Sequence, residues 1–536
     1  MKPLPRKLAG LNFSKDFAAT VANLNSYDAD NVKSKSSKSK TCDPLPITRR
    51  KLFEWAGLVV TAAAVPAPAL GALASSQQST TSKSSASVMN ALSTYMSEAV
   101  NCPLPDEVAE KTKQHILDTF GAMFSGSKLL PGQRALQFAQ SYGGKEISTV
   151  VASNLMCGPI EAALTNGMLA HADETDDSHS PSQSHPGCAV VPAAFAVGEQ
   201  FQISGTHLLR AVALGYDVGT RVTMTLGGQK FEVETHWSTH SIAPHFAAAA
   251  AAACAANLNA QEMRWVLGYT AHQSSGLGAW NRDPDHIQKA FLFGGMNARS
   301  GVTSALIVKS GWTGVDDIFS GKDNFFRAYN SNADPSGLID KLGERYEITR
   351  TNIKKWPVGS PIQAALDALE ILLKEHPFDA SQVQQVKLRL ATDEAAIVNN
   401  REIPDICVQH MLAVALLDKT VTFASAHDKA RLKDPATLRE RAKITLIPDA
   451  ELESLMPLRV AILELTLNDG TQLRQRVDNV SGTPENPMTR EEVLAKSRDL
   501  ITAVLGEHKS SRLIAKVMSL ENLRDIRELR PLLQLQ

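Results

Sequence analysis

Apolar residues recur at intervals of three and four along the chain, from about residue 88 to residue 346. The pattern is clear at 108–120 and at 208–214, where it places the apolar side chains on one face of a helix. An alanine-rich run at 246–254 predicts a buried helix, because alanine lets neighbouring helices approach closely. We therefore expect an all-helical domain over 88–346.

The pattern changes beyond residue 347. Apolar and polar residues alternate, as they do in half-buried strands, in three runs: 386–390, 442–447 and 460–467. Asn468-Asp469-Gly470 predicts a tight turn, and 471–477 is the returning strand. Helical periodicity resumes after residue 484. The chain is thus predicted to be mainly α, with a smaller α+β lid domain at 347–483 and C-terminal helices at 484–536 that return to the helical domain.

The N-terminal region has a different character. Thr48-Arg49-Arg50-Lys51-Leu52-Phe53 contains two adjacent arginines, and an apolar run with small residues follows at 55–73. This order is typical of a Tat export signal, so we predict a signal region at 1–74 and a Ser/Thr-rich linker at 75–87. Prolines within the apolar run disfavour the alternative, a membrane anchor. We expect a periplasmic or exported protein without a stable anchor, with a cytoplasmic location as the alternative.

Composition excludes some classes of function. The 536 residues carry a formal net charge of −1, and a nucleic-acid-binding protein would have a clearly basic balance. The six cysteines lie far apart: Cys42, Cys102, Cys157, Cys188, Cys254 and Cys407. Without a Cys-x-x-Cys pair, a zinc ribbon or an iron–sulfur cluster is not expected. Nucleic acid is therefore not a predicted partner.

The candidate chemistry is concentrated in one short stretch. His171-Ala-Asp-Glu-Thr-Asp-Asp-Ser-His179 and the following Ser184-His185-Pro-Gly hold four carboxylates and three imidazoles, but no lysine or arginine. Groups this close shift one another's pKa values, as acid–base catalysis requires. The balancing charge must come from protonation, from a cationic ligand group or from basic residues elsewhere in the chain.

This stretch resembles the signature of the MmgE/PrpD family of enzymes, which includes 2-methylcitrate dehydratase and cis-aconitate decarboxylase. Three later segments follow in the same order as in that family: 293–301, 409–418 and 484–487. The resemblance covers roughly 88–510. It implies a helical domain with an α+β lid, a homodimer, no cofactor, and a metal-independent active site in the cleft between the domains.

Carried over residue by residue, the resemblance implies a set of site residues. We predict that the catalytic residues are Glu174, Asp177, His185, Lys289, His240 and His410. We predict that Ser178, Lys354 and His236 bind substrate, and that no residue binds a metal. The sequence departs from the decarboxylase pattern at three positions: Ser238 and Gly359 stand where histidines are expected, and His410 where a tyrosine is expected.

The residues themselves support a lyase that acts on a small di- or tricarboxylic or hydroxy acid. Dehydration of a citrate-like acid requires a base that removes a proton next to a carboxylate and an acid for the departing hydroxyl. His185 could serve as either, because an imidazole titrates near neutral pH. Lys289 and Lys354 suit the binding of carboxylates and of the developing enolate-like charge. We therefore expect a dehydratase-like lyase, with a small anionic acid as its substrate.

Several alternatives stay open at this point. The same carbanion chemistry serves decarboxylases and epimerases of the family. A metal-dependent hydrolase would need a cage of imidazoles and carboxylates, for which the candidates are His171, Asp173, Asp177, His179 and His185. A non-catalytic exported binding protein is a third possibility. Individual residues have structural interpretations as well: Asp173 and Asp176 as helix caps or solvent-facing groups, His171 as a core residue, and Lys289 as a surface residue.

Overall fold

The computed structural model describes residues 88–535. The export signal and the linker that we predicted at 1–74 and 75–87 lie outside the described residues. Within the described part of the chain, no helix is both long enough and apolar enough to cross a membrane.

The first part of the described chain is helical. Its helices are α1 (88–98), α2 (Asp106–Gly126), α3 (Leu130–Tyr142), α4 (Pro159–Ala170), α5 (Gly187–Phe201), α6 (Gly205–Leu226), α7 (Gly228–Thr235), α8 (Thr239–Ala255), α9 (Ala260–Gln273), α10 (Ile287–Ala290), α11 (Met296–Lys309) and α12 (Phe325–Tyr329). Two short strands, β1 (Ser148–Thr149) and β2 (Met156–Cys157), form an antiparallel pair that the periodicity did not predict.

Helix α8 lies at the centre of this bundle, as its alanine-rich sequence predicts. It packs against α5, α6, α9 and α11, and its residues from Ser241 onward are buried. Gly219 of α6 allows the close approach, because a Cβ there would lie 2.4 Å from the carbonyl oxygen of Ala243. Small residues at this contact therefore allow α6 and α8 to pack closely.

The lid contains a four-stranded sheet with helices against it. Its elements are α13 (Ser360–Glu375), β3 (Val383–Ala391), α14 (Thr392–Val398), α15 (Val408–Asp418), α16 (Phe423–Ala426), α17 (Pro435–Ala442), β4 (Ile444–Asp449), α18 (Ala450–Glu453), β5 (Ala461–Leu467) and β6 (Gln472–Val477). The strand order is β4-β3-β5-β6, with β3 and β4 parallel and the other pairs antiparallel.

Two separate hydrophobic cores underlie this architecture. The first combines apolar residues from 88–348 and 501–533, and the second combines those from 356–480. The last helices, α19 (Arg490–Leu505), α20 (Glu507–Val517) and α21 (Arg530–Leu533), return to the first core. The predicted fold class, mainly α with a smaller α+β part, is confirmed.

Candidate active site

A cleft of about 770 Å³ opens between the helical part and the lid. The helical wall contributes Glu174, His185, Glu232, Val233, His236, His240, Leu277, Trp280, Lys289 and Phe293, among others. The lid wall includes Gly359, Pro361, Glu394, Ile397, Ile406, Met456 and Arg459. Four of the six residues predicted to be catalytic, Glu174, His185, His240 and Lys289, thus line one cavity.

The acidic stretch forms the loop that joins α4 to α5. Asp173 shapes its first turn, because its carboxylate accepts from the Thr175 N–H at 2.6 Å and from the Ser125 hydroxyl at 3.0 Å. Ser178 exchanges backbone hydrogen bonds with Asn352, which leads into the lid. All four carboxylates of the loop are buried. Asp173 and Asp176 are therefore neither solvent-facing groups nor caps of long helices.

Basic residues from elsewhere in the chain balance this buried charge. Lys289 forms an ion pair with Glu174. Lys354 donates to the Glu174 carbonyl oxygen at 2.7 Å and lies 3.5 Å from Asp176 Oδ1. Lys496, on α19, donates to the Thr175 carbonyl oxygen at 2.8 Å. The charge of the acidic loop is thus balanced by basic residues from elsewhere in the chain, which was one of the three possibilities that the sequence left open.

These lysines decide the ionisation of Glu174. Burial raises its pKa, but Lys289, His286 and Lys354 together hold that pKa well below its ordinary value. Glu174 is thus a carboxylate at neutral pH, and it fixes the position of the Lys289 ammonium. The same ammonium lies over the rings of Trp280 and Phe293, 5.2 and 5.3 Å from their centroids.

A glycine contact brings Lys289 into the cleft. Helix α10 continues through a π-helical turn, Phe291–Gly295, into α11. Within that turn Gly294 packs directly on Gly167 of α4, where a Cβ on Gly294 would lie 2.0 Å from the Gly167 carbonyl oxygen. Because neither residue carries a side chain, Lys289 and Phe293 can lie beside the acidic loop that follows α4.

Asp176 links two imidazoles of the loop. His171 Nδ1 lies 2.8 Å from Asp176 Oδ2, and His185 Nδ1 lies 3.4 Å from Asp176 Oδ1. Burial raises the pKa of Asp176, but His171, His185 and Lys354 hold that pKa well below its ordinary value. The ionised carboxylate therefore faces Nδ1 of the His185 ring at the distance of an ion pair. The set of site residues predicted from the sequence does not include Asp176.

His185 and His240 are neighbours on the helical wall. Their ring centroids lie 5.3 Å apart, and His240 stacks on Phe293 at 4.5 Å. Burial lowers the pKa of His185, and it lowers that of His240 well below the ordinary value, with a further contribution from the charges of His185 and Lys289. Without a bound ligand both imidazoles are therefore neutral at pH 7. Such a pair can accept protons in a site that also holds cations.

Asp177 points away from the cleft, although it was predicted to be catalytic. Its carboxylate contacts His115 Nδ1 at 2.8 Å, the Gly187 N–H at 2.9 Å and the Tyr216 hydroxyl. A Cβ at Gly187 would lie 2.8 Å from that carboxylate, so a glycine is needed there. Asp177 thus anchors the start of α5, immediately after His185, and acts as a positioning residue.

We expect Asp177→Ala to destabilise the protein and to lower kcat. The change leaves three buried donors without their acceptor, and each such loss costs about 1–3 kcal/mol. Denaturant unfolding measures the stability change, and steady-state kinetics measure kcat. Asp323→Ala, at an exposed position, is the control. Wild-type stability and kcat in Asp177→Ala would contradict the anchoring role.

The other predicted residues lie in three places: a smaller cavity, the rim of the cleft and the interior of the lid. Ser178 and Lys354 line a smaller cavity of about 260 Å³, which shares Ser360 and Arg459 with the main cleft. His236 is exposed on the rim of the cleft. The structure thus separates His236 from the other two predicted substrate-binding residues, Ser178 and Lys354.

His410 requires a correction, because it does not reach the cleft. It lies on α15 and is buried in the lid. Burial, followed by the charges of Arg441 and Arg431, lowers its pKa to about 4. Helix α15 is apolar on most sides, and the sequence alone could not indicate which face points to the substrate.

The residues proposed for a hydrolase metal cage do not converge. Asp173 and Asp177 are engaged as described above, and His179 contacts Ser182 and Glu347. Two smaller groups do bring ligand atoms within 4.8 Å of one another: His171, Asp176 and His185, and His171, Glu174 and His286. Lysine ammonium groups already lie against both carboxylates, which disfavours a second cation there.

Sequence reasoning also missed His286 and Arg459. His286 Nδ1 lies 3.7 Å from Glu174 Oε1, and its own backbone adopts a left-handed conformation (φ 61°). Its position three residues before Lys289 was the available signal. Arg459 forms an ion pair with Glu394 on the lid wall. No local motif marks it, because only the folding of the lid brings it to the cleft.

Comparisons with known proteins match both parts of the chain to one family. The MmgE/PrpD N-terminal domain model matches residues 90–337, and the MmgE/PrpD C-terminal domain model matches 356–522. Cis-aconitate decarboxylase of Aspergillus terreus is 24% identical over 488 residues, which cover 86% of this chain and 98% of the relative.

Two mammalian relatives are similar. Cis-aconitate decarboxylase of Homo sapiens is 26% identical over 455 residues, which cover 80% of this chain and 91% of the relative. The Mus musculus enzyme is 24% identical over 453 residues, which cover 80% and 90%. With both domain models matched in order and relatives aligned along most of their length, the chain belongs to the MmgE/PrpD family and is a lyase.

Proposed function

We propose that this lyase acts on a small di- or tricarboxylic acid and transfers a proton to or from the carbon next to one carboxylate. The observation that carries the proposal is the combination in one cleft of a neutral imidazole pair, His185 and His240, with cations on both walls. Lys289 lies on the helical wall and Arg459 on the lid wall. Cations on two walls suit an acid with carboxylates at both ends.

Each cation is held in place by a buried carboxylate. Glu174 positions Lys289, and Glu394, 2% exposed, positions Arg459. An ordered cation needs little reorganisation when an anion develops in the transition state. The substrate carboxylates would therefore meet preorganised charges at both ends, while the carbon chain between them passes the imidazoles.

His185 is the proposed proton carrier. Its Nδ1 faces Asp176 and is shielded from solvent, so Nε2 is the ring nitrogen left toward the cleft. A carboxylate beside Nδ1 favours the tautomer with the proton on Nδ1, which leaves a lone pair on Nε2. A bound polyanion would raise the basicity of that nitrogen. The same ring could then accept a proton from carbon or deliver one.

For the leaving group we propose carbon dioxide, because relatives aligned along most of their length are cis-aconitate decarboxylases. The C–C bond to one carboxylate breaks, and its electron pair shifts toward the carbon next to a second carboxylate. That carbon then takes a proton from the His185 imidazolium. Lys289 or Arg459 would stabilise the enolate-like charge between the two steps.

Loss of water is the second candidate, and the low pKa of the imidazoles favours it. A neutral His185 would remove a C–H proton, the electron pair would form the double bond, and the hydroxyl would leave with a proton from the Lys289 ammonium. This chain has Ser238 and Gly359 where the decarboxylase pattern predicts histidines, and His410 where it predicts a tyrosine. These differences also separate the chain from the decarboxylase pattern.

The pH profile should distinguish the two reactions. If His185 delivers a proton, kcat/KM rises by about tenfold per pH unit as the pH falls from about 8.5 to 7, because burial lowers its pKa and the protonated form is scarce. We expect this rise for decarboxylation. A flat profile over the same range, with a fall only under acidic conditions, would instead identify His185 as a base.

The reaction itself is testable with isotopes. Purified enzyme is incubated in D₂O with cis-aconitic, citric and 2-methylcitric acids, while released carbon dioxide is measured and NMR follows deuterium at carbon. Carbon dioxide with one deuterium in the product supports decarboxylation, whereas a new double bond without carbon dioxide supports dehydration. If no acid of the panel loses a group or exchanges a proton, the proposed substrate class is wrong.

A further inference from the structure

We infer that the substrate carries an alkyl chain, and that this chain binds along the outer part of the cleft. The inference rests on the proposed function, because the carboxylates anchor the acid at the inner end. Three observations support it: the size of the cleft, the apolar residues on its rim, and the open lid wall at Gly359.

The cleft is larger than a small acid requires. Its volume of about 770 Å³ lies within the roughly 300–1,000 Å³ that pockets for drug-sized ligands occupy. An acid of the size of cis-aconitate would span from Lys289 past the imidazoles to Arg459 and leave the outer part empty. A ligand that excludes water from the whole cleft must therefore extend further toward the rim.

The outer part of the cleft presents large apolar side chains to solvent. Val233 on α7 is 59% exposed, Leu277 after α9 is 57% exposed, and Ile397 on α14 of the lid is 39% exposed. Met456, also on the lid, lines the same space. Single exposed apolar residues are ordinary, but several in one concave site indicate an apolar ligand group. We call these four residues the apolar rim.

The lid wall between the rim and the imidazoles is also open. At Gly359 an added Cβ would meet only the Asp405 carbonyl oxygen and Pro361 Cδ, both at 3.8 Å, which is ordinary contact. A methyl group would therefore fit, and the glycine leaves this space open in a wall that also includes the apolar Ile406. A narrow chain can pass from the anchored acid to the apolar rim along this wall.

The position of the apolar rim favours a chain on the substrate over a second copy of the protein. Its residues lie on the two opposite walls of the cleft, Val233 and Leu277 on one and Ile397 and Met456 on the other. A flat protein surface would cover the mouth without entering between them. A hydrocarbon chain that is continuous with the acid would contact both walls at once.

The experiment compares acids that differ only in chain length. Calorimetry gives the Kd, and steady-state kinetics give kcat/KM, for cis-aconitic acid and its methyl, propyl and hexyl homologues. Full burial of a methylene is worth about fourfold in affinity, so a half-exposed rim should give roughly a two- to fourfold gain per methylene. The matching alkyl amides, without carboxylates, should bind weakly.

Two variants test whether the apolar rim causes the dependence of Kd on chain length. Val233→Ser and Leu277→Ser should flatten the dependence of Kd on chain length, and both positions are exposed, so the fold should tolerate them. Val315→Ser is the control, because Val315 is 51% exposed but does not line the cleft. It should keep the wild-type dependence.

The outcomes separate the inference from the proposed function. If the acids bind and react but chain length has no effect, the inference is wrong and the proposed function stands. If none of the acids binds, both are wrong. If Val233→Ser and Leu277→Ser change the oligomeric state in solution while chain length has no effect, the apolar rim is an interface between copies, and the alkyl proposal is overturned.

Discussion

His185→Ala is expected to lower kcat by about 10²- to 10⁴-fold, the usual loss when a positioned acid or base is removed. The ring lies in the cleft with its Nδ1 beside Asp176, and His240 is its neighbour. Because His240 has a lowered pKa and lacks the contact with Asp176, it should not replace His185. The measurement is kcat with the substrate identified by the isotope panel.

Two comparisons make this result interpretable. His508→Ala changes an exposed histidine on α20 and should keep wild-type kcat. Asp176→Asn removes the orienting charge but keeps His185, so kcat should fall less and its pH profile should shift. His185→Ala with near wild-type kcat and an intact fold, checked by circular dichroism, would exclude His185 as the proton carrier.

The fold was largely predictable because its signals are periodic. Intervals of three and four indicated the bundle, alternation indicated β3, β4 and β5, and the turn at Asn468-Asp469-Gly470 indicated the hairpin to β6. Strand ends differed by a few residues: the run at 386–390 belongs to β3, which extends over Val383–Ala391. Backbone pairing extends strands beyond the residues whose side chains alternate.

The site was only partly predictable, because a loop has no such period. Asp176 and Asp177 are adjacent and chemically identical, yet one faces the imidazoles of the cleft and the other faces His115 and Tyr216. The loop at 171–186 is held by backbone hydrogen bonds to Asn352 and by the hydrogen bond from the Gly187 N–H. Only this loop conformation determines which of the two aspartates faces the cleft. A resemblance of motifs alone cannot decide between two adjacent aspartates.

Charge balance predicted which residues meet in the site better than the resemblance of motifs did. The acidic stretch contained no basic residue, and the requirement for balancing cations predicted that distant lysines would meet it. Lys289 and Lys354 contact Glu174, although they lie 115 and 180 residues further along the chain. Arg459 was missed because its charge is balanced by Glu394 in the lid and left no local imbalance in the sequence.

Lys289→Met is expected to weaken the binding of di- and tricarboxylic acids far more than that of monocarboxylic acids. Removing one member of a buried charge pair costs about 2–5 kcal/mol, which corresponds to a Kd at least about thirtyfold higher for acids that use this cation. Without the ammonium, burial would raise the pKa of Glu174, and a carboxyl group would face the incoming anion. Calorimetry with mono-, di- and tricarboxylic acids measures the dependence on charge.

The double variant Lys289→Met/Glu174→Gln tests whether substrate binding depends on the Lys289–Glu174 ion pair or on the Lys289 ammonium itself. It also removes the carboxylate that Lys289→Met leaves buried and unpaired, so the double variant should be more stable than Lys289→Met, whereas its affinity for multiply charged acids should stay low. Lys289→Arg keeps the charge and should retain part of the affinity, because a guanidinium is larger and forms a planar fork. If the double variant bound tricarboxylic acids as tightly as the wild type, Lys289 would serve only to neutralise Glu174, and the cation for the substrate would have to be Arg459.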